Sequence, residues 1–208
     1  MYYLNQEVWF PEVSMASKDG ILAIGGDLSP ERLTLAYKRG IFPWFDDNEP
    51  ILWWSPDPRF VLFPEQLKVS KSMRQVLRNS DFKITINKDF EGVISNCSKI
   101  KRDGQQGTWI TNDMKVAYIK LHKLGVAKSV EVWLNDELVG GLYGIDLDNG
   151  VFCGESMFSK VSNASKVAFI SFIQNSNYKL IDCQVYTNHL ESLGAKEISR
   201  EAFLKYLD

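Results

Sequence analysis

The sequence predicts an α/β (α+β) protein: a small, loop-rich N-terminal domain over residues 1–60, then a larger domain over residues 61–208 with a mainly antiparallel mixed sheet. Three observations lead there. Six of the 7 prolines (Pro11, Pro30, Pro43, Pro50, Pro56 and Pro58) fall before residue 60, among Trp, Phe and Gly and with little strand periodicity. Beyond that point, stretches of helical period alternate with short apolar runs. Between residues 129 and 158, three such runs are divided by Asn135-Asp136-Glu137 and by Asn149-Gly150. Asn-Gly between apolar runs is a strong hairpin signal.

The elements follow in order. Ser29-Pro30 with Glu31 starts a helix, because Ser29 can cap the first N–H groups and Pro30 suits a position that needs no donor. Leu33, Ala36 and Tyr37 keep the helical spacing, and Gly40 closes it. Ser70 caps a second helix that runs to about residue 79. Val69, Met73, Val76 and Leu77 form its apolar face, while Lys71, Arg74 and Arg78 share a neighbouring one. A strand is expected at residues 83–87. Thr111 or Asn112 caps the next helix, lined by Ala117, Tyr118, Leu121 and Leu124 and ended by Gly125. Strands at residues 129–134, 138–145 and 151–158 make an antiparallel meander. A helix over residues 163–175 leads to a strand over 179–185, and short helices near 188–193 and 200–207 complete the chain.

Composition is that of an ordinary globular protein, with 45% hydrophobic and 24% charged residues among 208. Cys97, Cys153 and Cys183 show neither a CxxC spacing nor an even number, so neither a disulfide framework nor a zinc site is expected, and a reducing compartment fits. The N-terminal residues lack the basic start and apolar core of a signal peptide, and no apolar run approaches membrane-spanning length; a soluble, cytoplasmic chain is the expectation. Net charge is -2, yet it is unevenly spread. Residues 68–102 hold 9 Lys/Arg against 3 Asp/Glu, whereas residues 1–67 hold 5 against 10. A local basic segment can contact phosphates while the whole stays near neutral; a solvated helix face is the plainer alternative.

The strand over residues 179–185 carries the sharpest signal. Asp182 and Gln184 stand two apart inside an apolar run. Residues i and i+2 share a face, so carboxylate and carboxamide are expected side by side, with Ile181, Cys183 and Val185 opposite. A buried carboxylate without a partner is expensive, so the pair needs a partner or a task; a structural Asp tying down a loop is the alternative. Other sets are weaker. His122 sits beside Lys120 and Lys123 on a helix, and His189 could serve Cys183 or Cys153 as a base only if those thiols faced it. No cluster has metal-ligand spacing. Trp44, Trp53, Trp54 and Trp109 lie in Gly- and Pro-rich surroundings. Trp53 and Trp54 read best as core, whereas Trp44 and Trp109 suit either a core or a stacking platform for bases.

The order of elements resembles the N-acetyltransferase-like (GNAT-type) fold. Members that bind acetyl-coenzyme A hold its pyrophosphate on a Gly-rich turn after the fourth strand. The equivalent stretch here, residues 159–166, has no glycine, and none occurs between Gly154 and Gly194. An acyl donor other than coenzyme A is expected. A small-molecule N-acetyltransferase and a non-catalytic binding module remain the competing classes.

Several segments together resemble the leucyl/phenylalanyl-tRNA–protein transferase family. They are residues 20–30 (GILAIGGDLSP), 40–45 (GIFPWF), 52–59 (LWWSPDPR), 107–111 (GTWIT), 129–133 (SVEVW), 154–159 (GESMFS), 163–166 (NASK) and 181–185 (IDCQV). They span nearly the whole chain in the family's order. The resemblance implies an aminoacyltransferase that moves Leu, Phe or sometimes Met from aminoacyl-tRNA to proteins with N-terminal Arg or Lys, marking them for N-end rule degradation. It implies no metal and no organic cofactor; no membrane partner is expected because no apolar run is long enough, and a monomer because no long heptad or exposed apolar stripe occurs. It also implies roles: Asp182, Gln184 and Glu155 at the reacting groups; Trp44 and Trp109 against the terminal adenine; Tyr37 and Tyr118 at the substrate. Leu142 and Phe172 would line an apolar side-chain pocket, and Lys71, Arg74 and Arg78 would touch tRNA phosphates. Many members have Met where this chain has Leu142. The link from Phe172 to Lys179 is short, and the chain stops at Asp208 without the tail of longer members.

Overall fold

The computed structural model, which describes residues 2–100 and 110–208, folds around two sheets. The first is small. It contains β1 (Tyr2–Leu4), β2 (Ile21–Gly25), β3 (Phe42–Pro43) and β4 (Leu52–Trp54) in the order β1-β2-β4-β3, with α1 (Pro30–Lys38) between β2 and β3. Ser29 Oγ accepts from the Arg32 N–H at 3.4 Å, and Gly40 takes φ 70° at the helix end, as the sequence predicts. Trp53 is fully buried, with Phe10 edge-on to its ring and its Nε1 donating to Gly25 O at 2.9 Å. The core reading of Trp53 holds.

The second sheet has seven strands. In chain order its strands and their helices are β5 (Arg59–Leu62), α2 (Lys71–Asn79), β6 (Lys83–Ile86), α3 (Phe90–Cys97), α4 (Asn112–Lys123), β7 (Ala127–Leu134), β8 (Glu137–Asp146), β9 (Val151–Ser159), α5 (Ala164–Gln174), β10 (Leu180–Gln184), α6 (Asn188–Ser192), β11 (Lys196–Ile198) and α7 (Arg200–Leu204). The spatial order is β11-β5-β10-β9-β8-β7-β6. All neighbours are antiparallel except β10 and β9, which run parallel across the α5 connection. This is the mixed, mainly antiparallel α/β arrangement expected.

The meander forms because its turns can. Asn135 and Asp136 both adopt positive φ (50° and 60°), the pair a tight hairpin turn requires, and Gly150 takes φ 92° in the next. Ser70 and Thr111 cap α2 and α4 through the N–H groups of Met73 and Met114. One helix was not expected. In α3, Phe90, Val93, Ile94 and Cys97 are buried at helical spacing, and Asp89 caps it on Gly92 N–H at 2.9 Å. It has only eight residues with a glycine in its first turn, so local propensity hides it. Leu124, expected on the buried face of α4, is 64% exposed, because it follows the last helical residue and turns outward before Gly125. Helices cover both faces: α3 and α4 pack on one, α5 and then α2 on the other. Among the described residues, no helix is long and apolar enough to cross a membrane.

Candidate active site

Strands β9 and β10 pair at only three positions: Leu180 with Val151, Ile181 with Phe152, and Asp182 with Cys153. Beyond these they separate, and two backbone irregularities flank the opening. In β9, Tyr143 pairs with Ser156 and Gly144 with Gly154, so Glu155 is the extra residue of a bulge. A Cβ on Gly144 would stand 2.3 Å from Cys153 O, so this close approach needs glycine. In β10, Asp182 pairs with Val61 and Gln184 with Phe60, leaving Cys183 unpaired against β5. Gln184 sits at φ 64°, and Val185 N–H closes a three-residue turn onto Cys183 O at 2.8 Å. Positive φ at a non-glycine residue costs on the order of 1–3 kcal/mol and concentrates where function constrains the backbone.

Asp182 holds that turn. Its Oδ1 accepts from Gln184 N–H at 2.9 Å and from Arg59 Nε at 2.8 Å, and its Oδ2 accepts from Arg59 Nη2 at 2.7 Å. Arg59 is buried between the Phe42 and Phe203 rings, 4.8 and 4.7 Å from their centroids, and also donates to Gly40 O at 3.2 Å. The expected side-by-side placement of Asp182 and Gln184 is therefore corrected. The bulge and the positive φ break the two-residue alternation, so the Asp182 carboxylate faces Arg59 while the Gln184 side chain faces Glu155. Cys183, expected opposite Gln184, borders the same cavity as Gln184.

Glu155 is buried and joined to neutral donors. Gln184 Nε2 donates to its Oε1 at 2.7 Å, and Tyr118 OH to its Oε2 at 3.0 Å. Tyr118 OH is in turn hydrogen-bonded to Tyr37 OH. Burial pushes Glu155 up to about 7; hydrogen bonds from Tyr37, Tyr118 and Gln184 pull it down in part, and nearby Asp182 raises it. Burial also raises both tyrosines well above the usual phenol range.

The opening holds a cavity of about 390 Å³. Leu142, Phe152, Met157, Phe169, Ile181 and Cys183 give it apolar walls, and Glu155 and Gln184 supply polar atoms. Phe42, Pro43 and the half-buried Trp44 from the small sheet border it as well, with Trp44 5.6 Å from the Trp54 ring. His189 lines it too; burial, then Lys166, lowers its pKa. Between β9 and α5, Ser159 Oγ accepts from Ser165 N–H at 3.2 Å, so the chain occupies its own helix start.

The family model described as leucyl/phenylalanyl-tRNA protein transferase matches residues 61–208, and the model of that family's N-terminal domain matches residues 26–57. The chain belongs to this family. Among curated leucyl/phenylalanyl-tRNA–protein transferases, it is 65% identical to that of Flavobacterium johnsoniae, covering 100% of this chain and 99% of that protein. It is 58% identical to that of Christiangramia forsetii, covering 100% of both. A solved GCN5-related N-acetyltransferase from Kribbella flavida overlaps it with TM-score 0.39 at 9% identity, over 82% of this chain and 61% of that one.

Of the residues expected to act in the transferase, Glu155, Gln184, Trp44 and Leu142 line the cavity together. Asp182 stands behind Gln184 against Arg59. Tyr37 and Tyr118 do not line the cavity: both are fully buried and reach it only through Glu155, because the buried faces of α1 and α4 aim them beneath the sheet. Phe172 does not line it either. It packs 4.7 Å from the Phe152 ring and 5.4 Å from that of Tyr178, while Phe169, one turn earlier on α5, borders the cavity. Lys71, Arg74 and Arg78 are exposed on one face of α2, away from the cavity lining. Trp109 lies outside the described residues. Arg59 was missed, although a buried Asp demands a cation and Arg59 opens an otherwise apolar strand.

Proposed function

We propose that the transferase moves Leu, Phe or Met from aminoacyl-tRNA to the α-amine of cytoplasmic proteins that begin with Arg or Lys, marking them for N-end rule degradation. The observation that carries this reading is an apolar cavity in the β9–β10 opening with the Glu155–Gln184 pair among its walls. The apolar walls take the donor side chain. Single methylenes discriminate by only about 1–3 kcal/mol in such a pocket, so several large apolar donors fit. An aminoacyl ester is already activated, and an α-amine of reference pKa roughly 7.7–8.0 is partly neutral near pH 7. The enzyme must therefore orient the pair, move a proton and stabilise the oxyanion.

Gln184 positions the amine, and Asp182 acts through it by holding its backbone N–H. A small N-terminal domain, residues 1–60, contributes Trp44, which with Trp109 stacks the terminal adenine. The catalytic domain, residues 61–208, contributes the rest. Lys71, Arg74 and Arg78 meet tRNA phosphates, so binding is salt-sensitive and largely indifferent to tRNA sequence. The protein acts as a monomer.

The test is transfer of radiolabelled Leu or Phe from charged tRNA to a protein beginning with Arg, against a matched one beginning with Ala. Label on the Arg protein alone, and little of it with the Gln184→Glu enzyme, is expected. Binding of charged tRNA without transfer to either protein would turn the reading into a binding module.

A further inference from the structure

We propose that Glu155 takes the proton from the attacking α-amine and returns it to the leaving ribose oxygen, with Tyr118 and Tyr37 as positioning residues behind it. The proposal rests on the aminoacyl-transfer reading above and assigns its proton path. The amine nitrogen's lone pair forms the new N–C bond at the ester carbonyl, and the C–O bond to the tRNA ribose breaks. One proton leaves the nitrogen for the Glu155 carboxylate. It is then delivered to the ribose oxygen, so the carboxylate is regenerated and no other reactant is consumed.

The geometry carries this in four steps. First, the bulge places Glu155 on the cavity wall, beside Gln184. Second, Gln184 Nε2 donates to Glu155 Oε1 at 2.7 Å. That bond fixes the amide, so its carbonyl oxygen is the end left to accept an N–H from the amine. A carboxamide in this orientation guides the amine but has no basic site to keep its proton. Third, Asp182 is committed to Arg59 and to the Gln184 backbone, so it is not the proton acceptor. Fourth, the hydrogen bonds to Glu155 come from neutral groups, Gln184 and Tyr118, the latter backed by Tyr37.

Around Glu155 stand Tyr37 on α1, Tyr118 on α4, Cys153 on β9, Asp182 on β10 and Arg59 on β5, and Tyr143 on β8 and His189 on α6 share its cavity lining. The Arg59–Asp182 pair is internally compensated. Burial therefore dominates and brings Glu155 to about 7, the range in which a general base works best at neutral pH. Tyr118 holds the carboxylate form directly and Tyr37 supports it through the Tyr118 hydroxyl, which gives both a readout distinct from packing.

The experiment is the pH profile of kcat/KM for Leu transfer from Leu-tRNA to an Arg-initiated peptide, across about pH 5 to 9. The substrates, and their own titrations, are the same for every variant. Wild type should show an acid limb near 7 from Glu155, in addition to the amine's own at about 7.7–8.0. Glu155→Gln should lose the limb near 7, keep the amine's own, and fall about 10²–10⁴-fold at the plateau. Tyr118→Phe should move the limb to higher pH, and Tyr37→Phe should move it less. The limb should stay in place in His189→Gln. Infrared titration of the carboxyl band that disappears in Glu155→Gln should follow the same pKa in resting enzyme, independently of turnover.

The proposal is overturned if the limb near 7 persists in Glu155→Gln, if it moves with His189→Gln, or if Tyr118→Phe slows transfer without moving it. Wild-type enzyme that transfers no Leu or Phe at any pH would instead overturn the aminoacyl-transfer reading, and this proposal with it.

Discussion

Asp182 and Glu155 lie on neighbouring strands, both buried, and one hydrogen-bonded residue, Gln184, touches each. Their surroundings differ. Asp182 meets Arg59 through two parallel hydrogen bonds and is closed off from the cavity. Glu155 meets an amide and a phenol and borders the cavity. Position on the sheet does not separate the two carboxylates; the presence of a cation does. A paired buried charge is a scaffold element, and a buried charge held by neutral donors is left near its titration point.

The largest effect should come from breaking the scaffold side. Asp182→Ala leaves Arg59 unpaired between Phe42 and Phe203, and denaturant unfolding should show a loss of about 3–5 kcal/mol. If the variant keeps wild-type stability, the division between the two carboxylates is wrong.

The Glu155 side should answer to pH instead. Its pKa is raised from 4.5 to about 7 on folding, so the folded protein binds more protons than the unfolded chain across that window. Stability therefore falls as pH rises from about 4.5 to 7, by about 3 kcal/mol in total. Glu155→Gln should flatten this slope, as measured by unfolding at a series of pH values.

Gln184→Glu sharpens the contrast, since it sets a second carboxylate against Glu155 and removes the amide donor. Transfer should drop about 100-fold with folding largely retained. A drop no greater than that of an exposed change such as Lys18→Ala would argue against any role for Gln184.

At the cavity rim, only binding should change. Trp44→Ala should weaken the charged donor by about 1–3 kcal/mol, seen as a higher KM, with Trp44→Phe recovering most of it. The smallest effect belongs to α2: Arg74→Ala should lower the slope of log affinity against log salt by about one, leaving turnover of bound tRNA unchanged.

Much of this was legible in advance because it is written locally. Ser29, Ser70 and Thr111 cap the helices that they announce, and the Asn135-Asp136 turn sets the β7–β8 hairpin. Cavity residues were legible where a motif carried them: Trp44, Glu155 and Gln184 all line it. The failures are of another kind. Phe169 and Phe172 lie in one apolar run of α5, buried nearly all round, so periodicity cannot say which of them faces the cavity. Tyr37 and Tyr118 sit 81 residues apart, and their shared hydrogen bond exists only once α1 and α4 pack.

The sequence by itself determined the meander and most of the helices, the family and the residue types that gather in the β9–β10 opening. Those follow from short-range spacing, turn chemistry and motifs that need no partner to be read. Only the tertiary structure decided which carboxylate is clamped by a cation and which borders the cavity. That choice depends on where Arg59 lands, 123 residues from Asp182, and on two one-residue bulges that turn Glu155 and Gln184 toward each other. A bulge reverses which face every following side chain occupies, and a buried charge takes its properties from its partners rather than from its own type.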